Sequence, residues 1–279
     1  MRPATARRMA LVPDPALASA KLAVRDVARV YRSARGGKVS ACADVSFEVH
    51  PGEFVCILGP SGCGKSTLLN MLAGLDRPDR GDVLIDGHPI AGPGPDRAVL
   101  FQEPALFPWM SVAGNVDFAL KFVGVPKSER RDRTMHWLAK VQLSRFAEAQ
   151  PHELSGGMRQ RAALARALAC EPEVLLADEP FAALDAQTRE ILQAELQRVW
   201  LDTGKTVVFV THNVREAAFL ADRVLLMSAP PGTIVEDRAI DVERPRNVDD
   251  PALARVVAGI HAHLIEEVNK VVAREIGPA

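Results

Sequence analysis

The chemistry of this chain starts at residues 59–67, which read Gly59, Pro60, Ser61, Gly62, Cys63, Gly64, Lys65, Ser66 and Thr67, a G-x-x-x-x-G-K-S pattern. Its glycines let the backbone curl so that successive N–H groups point inward at an anion. A helix starting there adds its partial positive charge. That charge contributes only ~0.3–2 kcal/mol, too little to hold a nucleotide unaided. Lys65 would neutralise the β- and γ-phosphates, and Ser66 would offer its hydroxyl to Mg²⁺. Residues 54–58 form an apolar run suited to a buried parallel strand. Residues 67–73 have helical composition, closed by Gly74. The pattern and its setting predict a nucleoside-triphosphate site.

Four further groups carry chemistry. Asp178 and Glu179 follow the apolar run Val174, Leu175, Leu176, Ala177. A carboxylate at a strand tip can hold Mg²⁺ through water, and the next can polarise an attacking water as general base. Leu154, Ser155, Gly156, Gly157 and Met158 read as a helix start whose serine cap and glycines expose backbone donors to an anion. His212 lies just past another apolar strand, where a lone histidine is ordinarily structural. The amide of Gln102 could reach a metal ion or a water.

These groups need elements to position them. Strands are predicted over residues 21–30, which lead to Tyr31, the one tyrosine of the chain, and over residues 42–49, with a turn at 33–38 between them. Residues 82–87 read as a strand ending in a hairpin turn. Residues 98–101 make another short strand. From Gln102 to about Ala149 the period is helical, with Val112, Val116, Phe118, Ala119 and Phe122 clustered and a second helix over 127–141. A helix opens at Ser155 and ends near Ala169. The strand at 173–178 precedes a long helix from Asp185 to about Leu201, with Leu184, Ile191, Leu192, Leu196 and Val199 on one side. Further strands follow at 206–210, 224–227 and 232–240. Strands alternating with helices imply an α/β fold with a mostly parallel sheet covered on both faces. Asp249, Asp250 and Pro251 start a last helix, striped by Leu253, Val256, Val257, Ile260, Leu264, Val268 and Val271.

Composition narrows the classes. With 279 residues, 48% of them hydrophobic, the chain can bury one large domain or two lobes. A net charge of −1 argues against a broad basic surface for nucleic acid. The four cysteines (Cys42, Cys56, Cys63, Cys170) form no C-x-x-C pair and read as reduced thiols. No apolar run approaches the about 20 residues that span a bilayer, so the chain is expected to be soluble by itself. Residues 1–20, rich in Ala, Pro and Arg, are expected to be a flexible tail.

In order and spacing, these motifs resemble the ATP-binding subunits of ABC transporters over residues 21–240. The resemblance makes residues 59–67 Walker A, Gln102 a Q-loop, Leu154 to Met158 the signature, and residues 174–178 Walker B. Ala183, Leu184 and Asp185 become a D-loop. Residues 101–109, residues 178–185 and the methionine of the signature resemble the nitrate/sulfonate/taurine importer group. Met158 replaces the commoner Gln, as in that group, and Ala182 stands where Gly is usual.

The resemblance implies a P-loop NTPase (RecA-like) core with an antiparallel β subdomain and an α-helical signature subdomain over about 103–165, then a helical extension over 241–279. It implies an ATPase using ATP and Mg²⁺, with Ser66, Gln102 and Asp178 toward the metal. Glu179 would be the general base, and His212 would orient it and contact the γ-phosphate. Tyr31 would stack on adenine, contributing on the order of 1–3 kcal/mol. Two copies would pair head to tail, each ATP held by Walker A of one and Ser155, Gly156 and Gly157 of the other, with Asp185 communicating across. Residues 106–109 would dock a membrane permease, itself fed by a solute-binding protein, with the chain peripheral on the cytoplasmic face of the membrane. Core of the helical lobe is the competing reading of these four residues, and different residues can serve each. A soluble ABC ATPase acting on DNA or ribosomes is the alternative, and a non-hydrolysing scaffold is disfavoured by Glu179 and His212. Cys63, two residues from Lys65 and near a helix start, is expected to favour thiolate, so that alkylation blocks hydrolysis and ATP protects.

Overall fold

In the computed structural model, which describes residues 20–32 and 37–276, apolar runs bounded by Gly, Pro and Asp turns become strands. Those described are β1 (Leu22–Arg32), β2 (Lys38–Val49), β3 (Phe54–Leu58), β4 (Arg80–Ile85), β5 (His88–Pro89), β6 (Arg97–Leu100), β7 (Val174–Asp178), β8 (Thr206–Thr211), β9 (Arg223–Met227) and β10 (Ile234–Ala239). The helices are α1 (Lys65–Ala73), α2 (Val112–Phe122), α3 (Lys127–Lys140), α4 (Gly156–Ala169), α5 (Ala186–Thr203), α6 (Val214–Leu220) and α7 (Pro251–Ile276). The tail expected over 1–20 lies, but for Ala20, outside the described residues, as does most of the turn at 33–38.

Two sheets result. One is antiparallel, in the order β2-β1-β4-β5. The other runs β10-β9-β3-β8-β7-β6, parallel except for its β10 edge. β3 is buried along its whole length and shows why the sheet must be covered twice. Phe54, Cys56 and Leu58 face a core shared with α2, α4, α5 and α6, while Val55 and Ile57 face one shared with α1 and the antiparallel sheet. Strands buried on both faces read as unbroken apolar runs, which is how β3, β7 and β8 read. The architecture is the expected P-loop NTPase fold.

Register brings the chemistry to one edge. Leu58 at the tip of β3 pairs with Thr211 at the tip of β8, and Asp178 at the tip of β7 pairs with Val210. The chain leaving each tip therefore enters the same crevice, where open α/β sheets bind ligands. An isolated bridge between Cys42 and Gly232 ties the antiparallel sheet to this edge.

Some expectations yield to packing. Residues 101–111 hold no regular helix before α2 begins, because Asn115, fully buried, fastens the segment instead. Its side chain bonds the amide and carbonyl of Phe107 and the carbonyls of Met110 and Ser111. Of the apolar cluster expected there, Val112, Val116 and Ala119 are buried but Phe118 and Phe122 are exposed. Ile191 is exposed too, since of its apolar stripe α5 turns Leu192, Leu196 and Val199 fully inward, beside the buried polar Gln193, Glu195 and Gln197. α6, capped by the Asn213 side chain, was not foreseen after His212. α7 starts at Pro251 as expected and buries Leu253, Ile260 and Leu264, while Val268 stays exposed.

Candidate functional site

The loop after β3 curls because of Gly64, at φ +98°. A Cβ there would lie 2.4 Å from the carbonyl oxygen of Ala41, so only glycine lets the loop seat against β2. α1 then begins at Lys65 with no side chain capping its first amides. Lys65 is almost fully buried, and its ammonium donates to the carbonyls of Gly59 and Pro60, at 2.9 Å each. It also lies 3.8 Å from Glu179 Oε1. Ser61, Gly62 and Ser66 are exposed along the loop, Pro60 is buried and Thr67 half-buried.

Cys63 departs from its expected chemistry. It is fully buried under the loop, and burial pushes its thiol up, outweighing the neighbouring Lys65 charge and the backbone amides. Its sulfur would crowd a Cβ on Gly59 at 2.8 Å. The thiolate expectation is therefore corrected, because desolvation exceeds the pull of one cation.

Across the crevice, Ser66 Oγ donates to Asp178 Oδ1 at 3.0 Å. Burial raises the Asp178 carboxyl above its ordinary value, with Glu179 adding to the rise and Ser66 and Lys65 opposing it. Among the described residues no cluster of three His, Cys, Asp or Glu could cage a metal. A hydroxyl and one carboxylate fit instead a hard cation that keeps its waters and takes phosphate oxygens, as Mg²⁺ does. The donor chemistry fits that ion. Gln102 is exposed in the segment after β6, whose Phe101 carbonyl accepts from Gln160 of α4 at 3.1 Å.

Glu179 is held with φ +43°, rare for a side chain other than glycine. Such a conformation costs on the order of 1–3 kcal/mol and persists only where surroundings over-determine it. Here its amide donates to Val210 O at 3.0 Å, and its carbonyl accepts from Ala182 N at 3.1 Å. The result aims its carboxylate between Lys65 and His212, whose Nδ1 lies 2.7 Å from Glu179 Oε2. His212 is exposed and free to meet a ligand on its other side. Ala182 keeps an ordinary backbone conformation, so alanine serves where glycine is usual.

The signature residues divide by depth. Leu154 and Gly157 are buried, Gly156 and Met158 half-buried, and Ser155 exposed. Ser155 Oγ caps α4 by accepting the Met158 amide at 3.3 Å. A Cβ on Gly157 would lie 2.6 Å from Thr188 Cγ2, so this glycine lets α4 approach α5. Asp185 caps α5 through the Thr188 amide at 2.9 Å, and its bonds to Thr188 hold its carboxyl below the usual range. Ala183 is exposed and Leu184 half-buried. Tyr31 donates its hydroxyl to Asp76 at 2.7 Å, and the Arg29 guanidinium covers one ring face at 4.8 Å.

One group escaped the reading of the sequence. Glu216, almost fully buried on α6, bonds Thr211 and Gln193 directly behind His212. An acid directly before the apolar residues 217–221 was the available signal, lost because α6 itself was not foreseen.

Comparison with known proteins bears on this arrangement. A family model described as ABC transporter matches residues 42–182. The nitrate import ATP-binding protein NrtD of Synechocystis sp. is 47% identical over 230 residues, covering 81% of this chain and 86% of that protein. The taurine import ATP-binding protein TauB of Burkholderia pseudomallei is 50% identical over 225 residues, covering 81% of this chain and 86% of that protein. A solved dimeric ATP-binding cassette, in a post-hydrolysis state bound to ADP and Pi, is similar at a TM-score of 0.70 and 34% identity, covering 80% of this chain and 100% of that one.

Proposed function

Since the chain belongs to the ABC transporter family as an ATP-binding ATPase subunit, we propose that it powers an importer by hydrolysing ATP between two copies of itself. The observation that carries the hydrolytic reading is Glu179, held in a strained backbone conformation between the Lys65 ammonium and the His212 ring. In this reading residues 59–67 cradle the phosphates, and Lys65 leaves its loop carbonyls for the β- and γ-oxygens. Ser66, Asp178 and Gln102 hold Mg²⁺, which, when bound, neutralises charge that builds on the phosphate oxygens. Glu179 accepts the proton of the attacking water, and His212 fixes the carboxylate and reaches the γ-phosphate. Tyr31 stacks on adenine with the ring face that Arg29 leaves uncovered.

The second copy supplies Ser155, Gly156 and Gly157 to the far side of the triphosphate, with Ala183, Leu184 and Asp185 alongside. The exposed helix start at Ser155 and the dimeric state of the similar cassette support this reading. A permease would dock on the segment after Gln102, where Trp109 is 72% exposed and packs against Phe107, which also meets Phe118. Exposed aromatics are the usual anchors of interfaces. The names of the relatives, which print nitrate and taurine import, favour a nitrate/sulfonate/taurine-type small anion or organic solute. In this reading a solute-binding protein delivers it and this chain is peripheral on the cytoplasmic face of the membrane. No helix among the described residues is long and apolar enough to cross it.

The test is Glu179→Gln. Turnover should fall at least about 100-fold, and ATP should convert the variant from monomer to a stable dimer by size-exclusion light scattering. A variant that turns over normally removes Glu179 as the base.

A further inference from the structure

Behind His212 lies a chain of polar groups withdrawn from water. Thr211, the last residue of β8 and fully buried, donates its hydroxyl to Glu216 Oε2. The same hydroxyl accepts the Asn213 amide at 3.0 Å, which fixes its direction. The other carboxylate oxygen of Glu216 accepts from Gln193 Nε2 of α5 at 3.0 Å. Arg189, one turn earlier on α5, lines the same pocket as Glu216, Glu179 and His212. Its positive charge opposes the rise that burial imposes on the Glu216 carboxyl. The Arg189 N–H groups, in turn, donate to Phe181 O at 3.2 Å and Leu184 O at 2.8 Å, the carbonyls that set the path from Glu179 to Asp185.

The surroundings make this polarity costly. Val214 and Phe219 on the same helix as Glu216, and Leu192 and Leu196 on the same helix as Gln193, belong to the apolar core, and apolar side chains of equal size would pack there at no desolvation cost. What the polar chain adds is direction. Its bonds reach the residue before His212 through Thr211 and hold Glu216 to α5 through Gln193, while the Arg189 charge that acts on Glu216 is itself bonded to the segment that follows Glu179.

We propose that Glu216 is a positioning residue for hydrolysis, coupling the orientation of His212 to the path of residues 181–185 so that the two shift together. The inference rests on the roles of Glu179 and His212 proposed above. It gives one copy a physical link between the segment that would face its neighbour and the ring that orients its own base.

Glu216→Gln keeps the size of the side chain but loses the charge that faces Arg189, and Thr211→Val removes the hydroxyl donor from a β-branched frame. Measured over single turnovers of MgATP, each is expected to lower the hydrolysis rate about tenfold while leaving KM within about twofold. In a His212→Ala background the same changes should cost less than about twofold, since the path they act through is already gone. Equal losses in both backgrounds, or wild-type rates in both folded variants, would mean the network only supports the fold, and would overturn the inference. Should Glu216→Gln fail to fold, Thr211→Val decides by the same comparison. Wild-type hydrolysis by His212→Ala alone overturns the reading of His212 and this inference with it, an outcome separate from either of the others.

Discussion

Asp178 and Glu179 are adjacent in sequence, yet the fold treats them in opposite ways. Asp178 remains on β7, half-buried, where desolvation raises its pKa. Glu179 is turned out of the strand by a positive φ and given two partners. An acid whose folded pKa lies above its unfolded value holds its proton more tightly when folded. It therefore favours the folded state at low pH and penalises it as pH rises through the folded pKa. Asp178→Asn should accordingly match or exceed the wild-type Tm without nucleotide, with an advantage that grows as pH climbs through the carboxylate range and vanishes below it. The same variant should lose the stabilisation that MgATP gives the wild type and at least about 100-fold in turnover. Thermal unfolding with and without MgATP checks both, and a variant still stabilised by MgATP would remove Asp178 from the metal. Residue identities at the phosphate loop were legible because glycine spacing and a lysine dictate little else. The depth of Cys63 was not, because which face of a loop points inward depends on β2 and on the loop after β9, far away in sequence. Its thiol should react slowly with iodoacetamide even without ATP, by mass spectrometry, and rapid labelling would restore the thiolate reading.

At the scale of elements, α4 carries two demands on the same glycines. Gly157 sits where a Cβ would strike Thr188, so its packing role is settled apart from any anion. Gly157→Ala should destabilise by about 1–3 kcal/mol through overpacking, seen as a lower Tm. Thr188→Ser, which deletes the clashing methyl, should restore most of it. If Gly157 also serves the neighbour's nucleotide, the repaired double variant still hydrolyses slowly; full activity would leave it a packing residue only. The segment after Gln102 shows what periodicity cannot reveal. Its apolar residues scanned as helix, but Asn115 satisfies the backbone around Phe107 to Ser111 from the side with Trp109 left outward, and the helix that does follow, α2, leaves Phe122 exposed. Exposed aromatics and core aromatics look alike in sequence, since only a third dimension separates them. Trp109→Ala should leave the ATPase of the isolated chain unchanged and abolish its co-purification with a permease, and retained co-purification would move the docking surface elsewhere.

Across the whole molecule, strand order does what no local motif can. Placing β3 between β8 and β9, with β7 beyond β8, gathers the phosphate loop, Asp178, Glu179 and His212 onto one edge although they span more than half the chain. Alternating apolar runs foretold the parallel sheet, but the buried hydrogen bonds from Thr211 through Glu216 to Gln193 had no periodic signature and needed α6 to exist. The C-terminal segment is fastened by Arg246, whose guanidinium fills the carbonyls of Ala218 at 2.9 Å and Ile240 at 3.0 Å. Burial and the neighbouring Arg244 lower its pKa to about 10, so it stays charged at neutral pH.

The central claim is that one copy's signature completes its neighbour's phosphate pocket, and mixing two dead variants tests it most directly. Lys65→Ala and Ser155→Arg should each be inactive alone, since each spoils both pockets of its own dimer. Mixed, they form dimers with one intact pocket, made of the unaltered lysine of one chain and the unaltered serine of the other. Single-turnover hydrolysis should therefore reappear on mixing, at a rate set by the fraction of mixed dimers. Silence in a mixture shown by mass spectrometry to contain mixed dimers, or full activity of Ser155→Arg by itself, would contradict the account.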